Sequence, residues 1–431
     1  MRSPDQPVRI GMLGCGVVGS EVARLILADT VELSTRAGAK IELAKIAVRE
    51  IKPRAGIPNE LFTLDAMSIV NDPSIDLIIE VMGGIEPARE LILTAISNRK
   101  SIVTANKALL ASHGADLFTA AYAQGEDIYY EAAVAGAIPI IRPMRDSLAG
   151  DHVVRLMGIV NGTTNYILTK MHEDNREFAD VLAEAQKLGY AEADPTADVE
   201  GMDAASKAAI IAGLAFHSRV SVDDVYREGI SSITADDVAV AKTMNHVIKL
   251  LAIAELTSDD RISVRVHPTL IARSHPLAAV RDAFNAVFVE AKSAGQLMFY
   301  GRGAGGAPTA SAILGDVVAV ARHRISDSVG PRESDYADRA IAPIGDTKTQ
   351  FLIRLNVADK PGVLAAIAQV FAKEAVSIQT VRQSGRGNDA ELIVVSHGAT
   401  EAALSSTVSA LSKMDIVTKV ESVLRVLGSQ S

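Results

Sequence analysis

Gly14-Cys15-Gly16-Val17-Val18-Gly19 is a GxGxxG run that follows an apolar stretch of strand length and opens a helical pattern. The first glycine admits a tight bend, the second lets backbone approach a pyrophosphate, and the third lets helix pack closely on strand. The amides of Val17, Val18 and Gly19 open the helix, whose positive dipole end favours phosphate. The run predicts a dinucleotide site. A Gly-rich turn without function has the same letters, but the strand–turn–helix setting favours binding. An acidic residue after the second strand would hold the ribose hydroxyls of NAD. Here Ala47-Val48 leads into Arg49, Glu50, Ile51, Lys52, Pro53 and Arg54. A guanidinium offers a planar fork of donors that suits a 2′-phosphate. Arg49 therefore predicts NADP, with Glu50 leaving NAD open.

Lys107 follows Asn106 at the end of a strand-like run at 101–104. Ligands of a parallel sheet sit at the carboxyl ends of its strands, which would turn Lys107 toward the reacting centre. The plain alternative is a capping Asn before a solvated Lys. Asp203 and Lys207 are four apart and share one helical face. The surrounding Ala and Ile make an idle surface ion pair a poor explanation, and desolvation there would lower the ammonium's pKa. A second glycine loop, Gly303-Ala304-Gly305-Gly306-Ala307-Pro308-Thr309, also opens a helix, with Pro308 near its first position.

These residues need a scaffold. Strand-like runs at 8–13, 43–48, 76–82, 101–104 and 128–131 alternate with helical patterns at 17–28, 86–98 and 113–124. Alternation of this kind implies right-handed crossovers and a parallel sheet. After a strand at 153–160, helices at 163–173, 177–188 and 203–217 precede strands at 247–255, 262–267, 286–292 and 296–300, an α+β order with a mixed or antiparallel sheet. The last 80 or so residues read β (350–357), α (362–374), β (376–382), β (391–396), α (401–412), β (417–426), the ferredoxin-like split arrangement. The expected fold is thus α/β. A Rossmann-type dinucleotide-binding domain spans 1–135. An α+β catalytic domain spans 136–325, its 303–325 segment returning to the first domain. A linker at 326–348 precedes a βαββαβ unit at 349–431.

The composition sets limits. The chain has 431 residues, 48% of them hydrophobic and 4% aromatic, which suits aliphatic α/β cores. A net charge of −9 speaks against a nucleic-acid surface. No apolar run reaches the roughly 18 residues of a membrane span. The N-terminus lacks the pattern of a signal peptide, so a cytoplasmic protein is expected. The lone Cys15 excludes an intramolecular disulfide framework and cysteine-cluster metal sites.

Four further segments resemble homoserine dehydrogenases. They are Thr104-Ala105-Asn106-Lys107; Glu131-Ala132-Ala133-Val134-Ala135-Gly136 leading into Ile138-Pro139; Asn161-Gly162-Thr163-Thr164-Asn165-Tyr166; and Gly189-Tyr190-Ala191-Glu192-Ala193-Asp194-Pro195 followed by Asp198 and Glu200-Gly201-Met202-Asp203-Ala204-Ala205-Ser206-Lys207. The resemblance covers residues 8–323. The terminal unit, with Asp359-Lys360-Pro361-Gly362-Val363-Leu364, resembles an ACT domain, an amino-acid-sensing module.

The resemblance implies reversible hydride transfer between L-aspartate 4-semialdehyde and L-homoserine, in threonine, methionine and isoleucine biosynthesis. A carbonyl receiving hydride becomes alkoxide-like and needs a proton donor or cation nearby. Lys207 and Lys107 are the candidates, and the resemblance gives Lys207 the proton. It gives Glu192 and Asp203 the substrate's ammonium group, and sets Gly189 and Gly306 beside the cofactor. It also implies a sodium ion held by a Glu131 oxygen and by backbone at Val134, Gly136 and Ile138, sensible ligands for a hard cation. Without it, Glu131 is an ordinary loop residue, and Asp194, Asp198 and Glu200 a solvated acidic run. It further implies a homodimer or homotetramer and feedback inhibition by L-threonine, the alternative being that the ACT module only dimerises. Two rivals are weaker. A binding-only regulator has no use for two lysines and a carboxylate in this pattern. A dehydrogenase acting on a phosphorylated semialdehyde generally needs a cysteine thioester, and Cys15 is committed to the phosphate loop.

Overall fold

The computed structural model describes residues 6–332, 337–385 and 390–428. The chain forms two compact units, neither contiguous in sequence: residues 1–162, 206–225 and 284–339 in one, and 163–205, 226–283 and 340–431 in the other.

The first unit contains a parallel six-stranded sheet in the order Phe62–Thr63, Ile41–Ala47, Val8–Leu13, Leu77–Glu80, Ser101–Thr104, Ile128–Tyr129. This is the doubly wound 3-2-1-4-5-6 order, in which the order of the strands reverses beside the first strand and leaves a crevice at the carboxyl ends. The strands are covered on both faces, so they read as unbroken apolar runs instead of alternating ones. Helix Gly306–Ser326 packs Ala310, Ile313, Val317 and Val320 into the same cluster as Val22, Ala23 and Ile26 of helix Val17–Ala28. A separate antiparallel ladder in this unit joins Val153–Ile159, Phe284–Ala291 and Gly295–Arg302.

The second unit is built on a long hairpin, His246–Leu256 with Ile262–Ala272. The Val417–Val426 strand lies parallel to it at Thr269↔Arg425 and Leu270↔Val426. Lys348–Val357, Ala390–Ser396 and Ile378–Ser384 follow in antiparallel pairs. The βαββαβ unit therefore continues the hairpin's sheet, which pairs an edge that would otherwise be open. Helices Val363–Lys373 and Glu401–Leu411 bury Ile367, Phe371, Leu404 and Leu411 against Phe351, Ile353 and Leu355.

Several elements differ from expectation. The helix expected at 113–124 begins at Lys107, because the Asn106 carboxamide accepts from Leu109 N and starts it six residues early. A helix at Thr30–Ala37 carries too few apolar residues to announce itself. The strand expected to stop at His267 runs through Pro268 to Ala272. Much of the expected linker is hydrogen-bonded: Ala342 N donates to Ile262 O, and Ile262 N to Ala340 O. Its polar composition signalled irregular backbone, not looseness.

Candidate active site

The glycine loop is shaped for a ligand. Gly14 has φ +99°, and a Cβ there would stand 2.8 Å from Val81 O. A Cβ on Gly19 would stand 2.7 Å from Gly14 O, so only hydrogen lets this helix sit on the turn. Gly16 has nothing within 4 Å of such an atom, and Val17 is 77% exposed. Val18 packs at the edge of the core. No acidic residue occupies the first helical turn. The result is an open cradle of amides with no acidic side chain in the turn that forms it, which fits a pyrophosphate.

The second glycine loop belongs to the same place. A Cβ on Gly306 would stand 3.2 Å from Val17 Cγ1 and 3.2 Å from Glu21 Cγ, so Gly306 lies against the start of the first helix. A Cβ on Gly303 would meet Asn285 Nδ2 at 2.0 Å, and one on Gly136 would meet Gly303 O at 2.4 Å. Asn285 is buried and sequence reasoning passed it over. Its contact with Gly303 depends on strand pairing, which no local signal reports.

Arg49 is exposed just beyond strand Ile41–Ala47, and Glu50 pairs with Lys52 at 2.8 Å. The arginine that touches the loop is Arg54. Its Nε donates to Cys15 O at 3.2 Å and its guanidinium lies 4.9 Å from the Phe62 ring centroid. Sequence reasoning read Arg54 only as part of a basic run.

Lys107 is the first residue of its helix, held there by a relay. Glu80, fully buried, accepts from Thr104 Oγ1 at 2.7 Å and from Met82 N at 2.8 Å. Thr104 Oγ1 accepts from Asn106 N, and Asn106 Nδ2 donates to Gly84 O at 2.7 Å. A cation at a helix N-terminus opposes the dipole, at a cost of about 0.3–1 kcal/mol. An anionic group bound there would offset it.

Lys207 is buried at 8% exposure, and its Nζ donates to Val160 O at 2.7 Å. This anchors the ammonium to the segment just before Asn161-Gly162. Asp203 is buried at 9% on the same helix, Met202–Phe216. The two residues fall in different units of the chain.

Glu192 is exposed on the loop after helix Phe178–Lys187, with its backbone oxygen held by Gln186. Gly189, at φ +77°, closes that helix. Asp194 accepts from Thr196 N and Thr196 Oγ1, bonds that hold its carboxyl below its ordinary value and engage it in a turn. Glu200 accepts from Ser231.

The Glu131 carboxylate is fully engaged. Oε1 accepts from the amides of Ile140 and Ile141, at 2.6 and 2.7 Å, and Oε2 from Arg142 N and Nε at 2.9 and 3.1 Å. What the Val134–Ile138 loop can offer a cation is backbone carbonyl oxygen. Ala135 and Gly136 are both left-handed, at φ 56° and 57°. Among the described residues no cluster of three His, Cys, Asp or Glu has metal-binding geometry. Asp316, beside this group, accepts from Glu131 N, and burial pushes its carboxyl up to about 8.

Comparison with known proteins places this arrangement. Residues 14–131 match the homoserine dehydrogenase NAD-binding domain, 139–318 the homoserine dehydrogenase family, and 351–415 the ACT domain. The chain is 54% identical over 439 residues to the homoserine dehydrogenase of Mycobacterium tuberculosis, covering 100% of both chains. It is 53% identical over 429 residues to that of Corynebacterium glutamicum, covering 98% of this chain and 96% of the relative. Its fold is similar to the crystal structure of a homoserine dehydrogenase from Thiobacillus denitrificans, with a TM-score of 0.93, 39% identity and 98% of each chain covered. A hyperthermophilic archaeal homoserine dehydrogenase solved in complex with NADPH covers 73% of this chain, and 97% of its own, at a TM-score of 0.62 and 26% identity. With the glycine-loop cradle, the capped Lys107 and the buried Lys207 in place, the chain belongs to the homoserine dehydrogenase family: it is an NAD(P)-dependent oxidoreductase of amino-acid biosynthesis with a C-terminal ACT domain.

Proposed function

We propose that this chain interconverts L-aspartate 4-semialdehyde and L-homoserine with NADP(H), in the cytoplasm, as a homodimer or homotetramer, on the route to threonine, methionine and isoleucine. The observation that carries the reading is Lys207: a lysine buried in an apolar helix and aimed by a backbone carbonyl costs desolvation that an idle residue would avoid. NADPH supplies the hydride when bound. Lys207 gives its proton to the aldehyde oxygen as negative charge develops there, and takes one from the alcohol in the reverse direction. Lys107 stabilises the same charge from its helix terminus. Asp203 and Glu192 hold the substrate's ammonium group. Gly14, Gly16, Val17, Val18, Gly19 and Gly306 form or border the cofactor site, and the family resemblance adds Gly189. The test is NADPH oxidation by the intact protein with aspartate semialdehyde; no turnover would sink the reading.

NADP preference rests on Arg49, free of the ion pair that holds neighbouring Glu50 to Lys52. A lost charge-assisted contact costs about 1.5–3 kcal/mol, so Arg49→Ala is expected to raise the KM for NADPH roughly 10- to 100-fold and leave that for NADH unchanged. Equal effects on both cofactors would assign Arg49 to the loop's structure instead.

Sodium, bound through carbonyls of the loop that carries Val134, Gly136 and Ile138, orders the chain between Glu131 and the second glycine loop. L-threonine, bound near Gly362, inhibits. Gly362 sits at φ +93° at the start of helix Val363–Lys373 with no side-chain cap, which leaves its amides for a carboxylate. One assay series on the intact protein checks both: activity is expected to fall when sodium is replaced by a bulky organic cation, and to fall on adding millimolar threonine. Indifference to either removes that ligand from the reading.

A further inference from the structure

In the second unit, residues 226–231 press against 199–203 backbone to backbone. A Cβ on Gly229 would stand 2.4 Å from Val199 O and 2.7 Å from Glu200 Cα. Ile230 N donates to Val199 O at 2.8 Å, and the Ser231 hydroxyl donates to the Glu200 carboxylate. At Gly201, φ +76°, a Cβ would touch Arg227 Cγ, Glu228 O and Val266 Cγ1, each at 3.4 Å. Gly201 O accepts the first helical amide of Met202–Phe216, from Ala205 at 2.9 Å, and Asp203 is the second residue of that helix. Where 226–231 sits therefore decides where this helix begins and where Asp203 stands.

The C-terminal module holds 226–231 in place. Arg425, 6% exposed on strand Val417–Val426, donates to Glu228 through Nη1 at 2.7 Å and Nη2 at 3.0 Å. Its other edge donates to Glu401 at 2.6 and 2.9 Å, and Glu401 opens helix Glu401–Leu411. Tyr226 lies under the same guanidinium, 5.3 Å from ring centroid to Cζ. One arginine thus grips a carboxylate of the module and a carboxylate of the segment that seats the Asp203 helix. Two parallel pairs of charge-assisted bonds fix orientation as well as distance.

We propose that Glu228 and Arg425 are positioning residues for substrate binding, through which the C-terminal module sets the start of the Asp203 helix. The inference rests on Asp203 as a substrate-binding carboxylate. A ligand that shifts strand Val417–Val426 would change substrate affinity by this route, a coupling with two sites and a named connecting element. Arg354 makes a second buried junction, to Asp237 at 2.7 Å and Glu391 at 2.7 Å, which shares no contact with 199–203. It serves as the control.

The experiment compares full-length Glu228→Gln and Glu391→Gln with the parent. Glu228→Gln keeps the side chain's shape and removes its charge. It is expected to raise the KM for aspartate semialdehyde about tenfold, with kcat and the KM for NADPH within about twofold, the pattern of lost substrate binding. Amide hydrogen exchange across 199–205 is expected to quicken in the same variant. Glu391→Gln is expected to change neither. An unchanged KM, an unchanged exchange rate at 199–205, or equal effects from both variants overturns the proposal. If exchange quickens while even the parent shows no turnover with aspartate semialdehyde, the substrate assignment fails and the positioning of the helix stands.

Discussion

Lys207→Ala is expected to lower kcat by about 10²–10⁴-fold, the range spanned by removal of a positioned proton donor. The KM for NADPH is expected to stay within about twofold, because the phosphate cradle is built from Gly14, Gly16 and Gly19, whereas Lys207 Nζ is bonded to Val160 O. Removing the ammonium leaves Val160 O without that donor, at a cost of about 1–3 kcal/mol. Some loss of stability is therefore expected too. The two effects separate cleanly, since NADPH binding measured by fluorescence reports the fold and kcat reports the proton. Full activity in the variant would remove Lys207 from the chemistry. Full loss of NADPH binding would make the variant a folding mutant, and Lys207→Arg, which keeps the donor and the charge, would then decide: a well-folded arginine variant with near-parental kcat is incompatible with a dedicated proton-transfer role, because a guanidinium holds its proton.

Arg425→Met is expected to be the most destabilising single change among the ion pairs. It strands the Glu401 carboxylate, 3% exposed, together with that of Glu228. Breaking a buried pair by removing one partner costs about 3–5 kcal/mol, because the other charge stays buried without compensation. The exposed pair Arg36–Glu32 forms a contrast: one helical i,i+4 bridge at the surface is worth a few tenths of a kcal/mol. Thermal unfolding of the two variants checks the ranking. A similar midpoint for Arg425→Met and Arg36→Met would mean that the buried Glu401 carboxylate relaxes to water or takes up a proton. The pair also has a pH sense. Burial pushes the Glu228 carboxyl up, but the hydrogen bonds from Arg425 outweigh it and hold it below its ordinary value. A carboxyl lowered in the folded state stabilises above its unfolded pKa, near 4.3, and the contribution is lost as pH falls through the folded value. This contribution from Glu228 is thus present at neutral pH and is lost in acid, below the ordinary carboxylate range.

The elements that announce themselves locally were readable. Gly14 and Gly19 are glycines because backbone leaves no room for a Cβ, Gly16 faces open space where a ligand's phosphate fits, and that pattern shows in the letters. The parallel sheet was readable because buried strands are apolar throughout and regularly spaced by helices. The βαββαβ order at the C-terminus followed from the same periodicity. The helix that starts at Lys107 was read six residues late, since its opening depends on a cap and a relay to Glu80, residues 26 apart in sequence. Arg54 was overlooked for a similar reason. Its contact with Cys15 O joins two loops 39 residues apart.

What the amino-acid sequence alone determined is the chemistry that can be done: a phosphate cradle, two lysines, an acidic segment, and the family they resemble. Side-chain types and short spacings carry that information, because covalent geometry places neighbours three or four residues apart on a common face. What only the tertiary structure decided is which of those groups are engaged elsewhere and what holds the rest. Glu131 turned out to be fully hydrogen-bonded to residues 140–142. The polar stretch read as a linker is pinned by backbone bonds to Ile262. The module at the C-terminus shares a sheet with the hairpin at His246–Leu256 and Ile262–Ala272, and Arg425 reaches across 197 residues to Glu228. Such pairings follow from strand register and the burial of charge, which depend on the whole fold and leave no mark in any short window of sequence.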